Sequence, residues 1–90
     1  MSAVPDRVPA GTVTVLYFAA ARAAAGTAQE AVPAASLDGL LGAVVDRHGE
    51  GLALVLKRCS YLVDGLAVHA PDTALPAGAT VDVLPPFAGG

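Results

Sequence analysis

The chain has 90 residues, of which 54% are hydrophobic, 14% are charged and 4% are aromatic, and its net charge at pH 7 is −3. This length suits one domain with a modest core built from small branched side chains. Because nucleic-acid binding needs clustered cations, the acidic balance argues against a phosphate-binding surface.

The cysteine count and the hydropathy pattern bear on the compartment. The single cysteine, Cys59, excludes an internal disulfide and fits a reducing environment. No apolar run approaches the roughly 20 residues that span a bilayer, and residues 1–7 lack the features of a secretion signal. We therefore expect a cytoplasmic protein without a membrane partner.

The first third of the chain predicts a strand, a short helix and a second strand. Residues 1–11 carry two prolines and read as a flexible leader. The segment Thr12–Phe18 alternates β-branched and aromatic residues and predicts the clearest strand. The alanine-rich segment Ala19–Ala25 predicts a helical turn that Gly26 ends, and Ala28–Val32 predicts a returning strand.

One main helix is predicted after Ser36, a good N-cap residue. Its apolar positions recur at helical spacing and predict one buried face, formed by Leu37, Leu40, Leu41, Val44 and Val45. Gly49 ends the helix. Gly39 and Gly42 weaken it, and close packing on a sheet would be one compensation for them.

The remaining elements are shorter. Leu52–Lys57 predicts another helical turn, and Ser60–Val63 predicts a strand followed by a tight turn at Asp64-Gly65 and a partner strand at Leu66–Val68. A last strand, Ala79–Leu84, follows a proline-containing loop. This order predicts an α+β fold, with a mixed sheet covered on one face by one main helix in the domain 12–84.

Groupings of reactive side chains give no strong signal for catalysis. His48, His69 and Cys59 lack the paired spacing of metal ligands, so no metal site is predicted, and Cys59 is interpreted as a small hydrophobe. The carboxylates that could form an acid–base pair are predicted on turns or solvated faces: Asp38, Asp46, Glu50, Asp64, Asp72 and Asp82. For Arg22 we favour a local salt bridge over a partner-facing edge, and for Lys57 and Arg58 a solvated face over a docking site for an acidic partner.

The last six residues, 85–90, form the candidate site. Pro85 and Pro86 lack an amide hydrogen and cannot extend a ladder, so the chain is predicted to leave the final strand as a projecting tail of about 20 Å. Gly89 and Gly90 carry no Cβ and can thread a narrow channel. Phe87 is predicted to contact a partner. We therefore expect the tail to present the α-carboxylate of Gly90 to another protein.

Three blocks of sequence resemble one family, the MoaD small subunits of molybdopterin synthase, which are ubiquitin-like β-grasp sulfur carriers of the MoaD/ThiS superfamily. The blocks are the segment from Val15 to Ala19 followed by Arg22 and Gly26, the hairpin Leu62–Gly65, and the segment from Leu75 through the Pro-Pro-Phe-Ala-Gly-Gly ending. Together they extend over residues 12–90.

The resemblance implies a role in molybdenum cofactor biosynthesis. In that family an adenylyltransferase of the ubiquitin-activating type (MoeB-like) uses ATP and Mg to adenylate the terminal glycine. Sulfur from a donor enzyme then converts this glycine to a thiocarboxylate. On this basis Gly90 would carry the sulfur, while Gly89, Ala88, Phe87, Pro86 and Pro85 would bind the large (MoaE-like) subunit. Catalytic side chains would belong to that subunit, and this chain would bind no cofactor.

Three alternatives remain open on the sequence. The first is a related sulfur carrier for cysteine, thiamine or a sulfur-containing secondary metabolite, although Phe18 and Arg22 argue against the thiamine carrier. The second is a ubiquitin-like protein modifier that forms an isopeptide through Gly90. The third is a binding module that never uses its terminus.

Overall fold

The computed structural model describes residues 11–86. Every predicted element is present within about two residues of its predicted bounds. The observed elements are β1 (Thr12–Tyr17), α1 (Ala19–Ala25), β2 (Gln29–Pro33), α2 (Leu37–His48), α3 (Glu50–Leu56), β3 (Ser60–Val63), β4 (Leu66–Val68) and β5 (Thr80–Leu84). The predicted leader lies outside the described range except for Gly11. No helix within residues 11–86 is long and apolar enough to cross a membrane.

The five strands form one mixed sheet in the order β2-β1-β5-β3-β4. β1 and β5 pair in parallel at the centre, and the other three pairings are antiparallel. The tight turn between β3 and β4 is confirmed, with positive φ angles of 49° at Asp64 and 85° at Gly65, as two-residue hairpins require. The predicted mixed sheet is therefore confirmed.

All three helices lie on the same side of the sheet and enclose the core. In β1 the side chains of Val13, Val15 and Tyr17 are buried, which confirms the predicted alternation. Val81 and Val83 of the neighbouring β5 are also buried. Each such side chain contributes about 1.5–3 kcal/mol when it is removed from water. The helices α1 and α3 cover the core together with the main helix α2, and they contribute the buried side chains of Ala21, Ala25, Leu52 and Leu56.

The main helix begins and ends as predicted, but its core-facing stripe is narrower. The Oγ atom of Ser36 accepts a hydrogen bond from the amide of Gly39 at 3.1 Å, and Gly49 follows the last turn with φ of 92°. Leu37, Leu40 and Val44 are buried. The predicted positions Leu41 and Val45 are only half-buried, because they face a gap between α2 and α3.

Packing on the sheet does not explain the glycines of α2. Gly42 is exposed, and a Cβ atom built on it would have no neighbour within 4 Å. A Cβ on Gly39 would lie 3.2 Å from the Oγ atom of Ser36, so Gly39 belongs to the N-cap. Packing on the sheet therefore compensates for neither residue, and within residues 11–86 Gly42 weakens the helix without a packing gain.

A charged cluster joins edge strand β2 to the last turn of α2. The side chain of Glu30 is 15% exposed. Its Oε2 atom accepts a hydrogen bond from the Tyr17 hydroxyl at 2.5 Å. The same oxygen accepts a second hydrogen bond from Nε2 of His48 at 2.6 Å, in the tautomer that places a proton on Nε2. Its Oε1 atom pairs with Arg47 at 2.9 Å. Burial alone would raise the pKa of Glu30, but the hydrogen bonds from Tyr17, His48 and Arg47 outweigh burial and lower it. Burial, together with the bond to Glu30, raises the pKa of Tyr17, which keeps its hydroxyl protonated as a donor.

We predict that Glu30→Gln lowers the free energy of unfolding of the domain and makes that free energy less dependent on pH in the acid range. The ionised carboxylate stabilises the fold fully above its ordinary pKa of 4.5, and this contribution is lost as the pH falls through the lowered folded pKa. At pH 7 the substitution should cost roughly 1–3 kcal/mol. Urea unfolding from neutral to acid pH measures both effects.

The matched control for this prediction is Glu50→Gln, because Glu50 is an exposed carboxylate in the first turn of α3. It should change the free energy of unfolding by at most about 0.5 kcal/mol. Equal effects of the two substitutions would show that the cluster around Glu30 contributes nothing particular.

We also predict that Gly42→Ala stabilises the domain by about 0.5–1 kcal/mol, because alanine improves helix propensity at an open position. Gly39→Ala should gain less, since its new methyl group presses on the Ser36 hydroxyl that caps the helix. Urea unfolding at low protein concentration measures both variants. An equal gain at the two positions would contradict this account of α2.

Candidate functional site

The C-terminal tail begins at a fixed point in the middle of the sheet, which we call the tail root (residues 84–86). Leu84 is the last residue of β5 and pairs with Ser60 of β3. On the other side of β5, the amide of Phe18 donates to the carbonyl of Val83 at 3.2 Å. Pro85 is half-buried and Pro86 is exposed. Since neither proline has an amide hydrogen, the sheet ladder ends here as predicted.

The remaining predicted site residues, Phe87, Ala88, Gly89 and Gly90, lie outside the described residues. Their assignment as the sulfur-carrying segment stays a prediction. What the structure adds is the surroundings of the tail root, which come from three parts of the chain: the corner between β1 and α1, the turn before β3, and the sheet face without helices.

The corner between β1 and α1 lies beside the tail root. Phe18 precedes α1 and is 42% exposed, although it is a large apolar residue. Ala19 has a positive φ of 49°, which costs free energy for a residue with a Cβ and is most frequent where a local conformation serves function. Arg22 lies one turn further along α1 and is exposed. Within residues 11–86 it forms no ion pair, so the expected local salt bridge is absent there.

The turn before β3 brings cations close to the tail root. Lys57 and Arg58 are both exposed, as predicted, and they directly precede Cys59 and Ser60. Because Ser60 pairs with Leu84, this basic turn borders the place where the chain leaves the sheet. The tail therefore starts next to positive charge, in a chain whose overall charge is negative.

Cys59 is better suited to packing than to nucleophilic chemistry. Its Sγ atom donates to the carbonyl oxygen of Val55 at 3.3 Å, and burial raises the pKa of the thiol. A raised pKa lowers the thiolate fraction on which reactivity depends. His48 is bonded to Glu30 instead, and His69 is exposed. In the part of the chain that the structure describes, no three His, Cys, Asp or Glu side chains converge as metal ligands would.

The sheet surface that carries no helix, which we call the open face, was not identified from the sequence. Strand register places Leu16 of β1, Asp82 of β5 and Leu62 of β3 in one row across it. All three side chains are half-buried. Leu84, at the tail root, lies on the same face because residues two apart in a strand share a side. Recognising this row from sequence would have required the strand order.

Comparison with known proteins places the chain in a family. The model of the ThiS family matches residues 15–90. The chain belongs to the ThiS family. The ubiquitin-like β-grasp fold and the sulfur-carrier family predicted from the sequence are therefore confirmed. No curated protein matches the chain in sequence.

Solved structures agree with this assignment. SAMP1 from Haloferax volcanii is similar with a TM-score of 0.77 and 26% identity, over 89% of this chain and 100% of that one. A putative subunit 1 of molybdopterin converting factor from Pyrococcus furiosus gives a TM-score of 0.70 and 26% identity, over 84% of this chain and 98% of that one. Subunit 1 in a complex with subunit 2 of the molybdopterin-converting factor of Helicobacter pylori gives a TM-score of 0.67 and 25% identity, over 88% of this chain and 99% of that one.

Proposed function

We propose that this chain is the sulfur-donating small subunit of a molybdopterin synthase, and that Gly90 carries the sulfur as a thiocarboxylate. The observation that carries the proposal is the tail root: a central, doubly paired strand runs into Pro85-Pro86, and the family match continues from there to Gly90. The similarity to subunit 1 in the Helicobacter pylori complex supports a large-subunit partner.

The chemistry follows from the weak electrophilicity of a carboxylate. The Gly90 carboxylate oxygen attacks the α-phosphorus of ATP on the activating enzyme, pyrophosphate leaves, and an acyl-adenylate forms. Hydrosulfide from the sulfur donor then attacks the acyl carbon, AMP leaves with the bridging oxygen, and loss of the sulfur-bound proton gives the thiocarboxylate. ATP and Mg²⁺ are bound by the activating enzyme, so this chain contributes the acyl group and needs no bound cofactor.

The chain's own residues position and present that group. Pro85 and Pro86 hold the departing backbone extended and offer no amide to fold back onto the sheet. Gly89 and Gly90 provide a segment thin enough for a narrow channel. Phe18 and the leucines of the open face give the partner an apolar surface next to the tail root, and Lys57 and Arg58 add positive charge to its border. Interfaces of this kind combine buried apolar anchors with a polar rim.

A second candidate function is a ubiquitin-like protein modifier. It is favoured by the similarity to SAMP1, a small archaeal modifier protein. The TM-score and sequence identity with SAMP1 are at least as high as those with the putative converting-factor subunit from Pyrococcus furiosus. A modifier would use the same adenylate, but a lysine amine of a target would replace AMP and leave an isopeptide bond. The two functions differ in the nucleophile, so they differ in the mass of the product.

We predict that incubation with a cognate activating enzyme, ATP, Mg²⁺ and a sulfur donor raises the intact mass by about 16 Da, because sulfur replaces one oxygen. Deletion of Gly90 should abolish this gain, while Leu66→Gln, at an exposed position of β4 outside the tail, should keep it. Intact-mass spectrometry measures all three proteins. Conjugates of higher mass would favour the modifier, and a mass gain that survives the deletion would refute the assignment of Gly90.

We also predict that Leu62→Gln weakens sulfur transfer, because it removes an apolar side chain from the open face that the large subunit would cover. The KM for the loaded carrier should rise about tenfold or more, as for other interface anchors, with little change in kcat. The control is Leu66→Gln in the same hairpin, whose side chain is 73% exposed and lies on the opposite side of the sheet. Equal effects of both substitutions would argue against docking through the open face.

A further inference from the structure

We propose that the groove between α2 and α3 is a self-association surface, through which two copies of this chain form a weak two-fold dimer. We call it the helix groove. Its walls and floor are formed by Leu41, Gly42 and Val45 of α2, Ala53 and Leu56 of α3, and Tyr61 of β3. The groove holds a cavity of about 390 Å³ and is almost entirely apolar.

The first observation is that the groove exposes apolar side chains that the sequence pattern assigns to the core. Leu41 and Val45 continue the buried stripe of α2, yet they are only half-buried. The floor is held in place by Tyr61, whose hydroxyl donates to the carbonyl of Leu56 at 2.7 Å. Exposure of an apolar recess to water is unfavourable, and the free energy falls when another apolar group fills the recess.

The second observation is the glycine in the groove wall. Gly42 lies in the middle of α2, where glycine costs about 1 kcal/mol relative to alanine, and packing within residues 11–86 does not require it. Absence of a side chain at this point opens the wall and lets a second backbone or side chain approach closely. A contact between molecules would explain a residue that the isolated domain does not need.

The third observation is an apolar side chain that the domain leaves in water beside the groove. Leu54 of α3 is 61% exposed. It lies three positions before Lys57, and residues at that spacing are neighbours on a helix surface. Leu54 therefore lies next to the groove residue Lys57 on the surface of α3, and in a dimer it would supply an apolar group for the recess beside Gly42 of the other copy.

The fourth observation is the charge at the rim, which selects a second copy as the occupant. Asp46 stands on the α2 side of the groove and Lys57 on the α3 side, and both are exposed. Within residues 11–86 neither of them forms an ion pair. In a two-fold contact residue i meets residue j and residue j meets residue i. The α2 wall of one copy would face the α3 wall of the other, so two pairs of opposite charge would form at once.

The small size of the groove sets the strength of this association. Interfaces below about 1,200 Å² of total buried surface are typically weak and transient. We therefore expect a dimer that forms between about 10 µM and about 1 mM protein. Because the helices cover the face opposite the open face, such a dimer leaves both tail roots accessible, and the inference stands whether or not the proposed function does.

The experiment is sedimentation of the full chain over this concentration range, together with amide chemical shifts followed by NMR during dilution. We expect a monomer–dimer equilibrium, with shift changes centred on Gly42, Leu54 and Lys57. Leu54→Glu should raise the dissociation constant of the dimer at least about tenfold. The matched control is Leu66→Glu, which alters another exposed leucine, on edge strand β4, and should leave the dimer unchanged.

Charge reversal tests the two-fold pairing directly. Asp46→Lys and Lys57→Asp should each weaken the dimer, since each places like charges opposite one another, and the double variant should restore it. A chain that stays monomeric throughout overturns the proposal, and so do shift changes confined to the open face. A double variant no tighter than either single variant, or a Leu66→Glu effect as large as that of Leu54→Glu, overturns it as well.

Discussion

The parallel pairing of β1 with β5 is the constraint on which the rest of the structure depends. Parallel neighbours cannot be joined by a hairpin, so the chain between them must cross over the sheet, and the three helices lie on the face that this crossing covers. β5 is held at its beginning by a reciprocal pair of bonds, in which the Asp64 amide donates to the Thr80 carbonyl at 2.8 Å and the Thr80 amide donates to Asp64 Oδ1 at 2.9 Å. At its other end it is held by Phe18. The tail therefore starts from a strand that is hydrogen-bonded at both of its ends.

One-sided coverage of the sheet gives the domain two surfaces with different properties. The open face has a central carboxylate, Asp82, between Leu16 and Leu62, and it adjoins the tail root. The helix side has the cluster around Glu30, which fastens α2 to the edge strand, and the apolar helix groove further along. Under the proposed function, a protein that receives the tail would meet the open face and the basic turn first, since the tail leaves from the end of β5. The helix groove remains available at the same time.

Local patterns predicted the elements well, because each depends on neighbours in sequence. The alternation in β1, the hydroxyl of Ser36 and the turn at Asp64-Gly65 all act within a few residues. Features that depend on strand order were missed. Glu30 meets Arg47 and His48 only because β2 lies at the edge beside α2, and the row on the open face requires the register of three strands. The misread half-burial of Leu41 and Val45 has the same origin: helical spacing identifies an apolar stripe but not how much of it the neighbouring helix covers.

The fold alone does not distinguish the functions of family members whose structures are this similar. The surroundings of Asp82 indicate which surface could distinguish their partners. A carboxylate at the centre of an apolar row loses its hydration when a partner covers it, and an uncompensated buried charge costs several kcal/mol. A partner that packs against Leu16 and Leu62 must therefore place a cation or several hydrogen-bond donors opposite Asp82, or leave water there. Under the proposed function, the terminal glycine would present the same chemistry to any activating enzyme. If the chain acts as proposed, discrimination between pathways would fall to the half-buried side chains around the tail root, because their charge and shape differ where the chemistry of a terminal glycine does not.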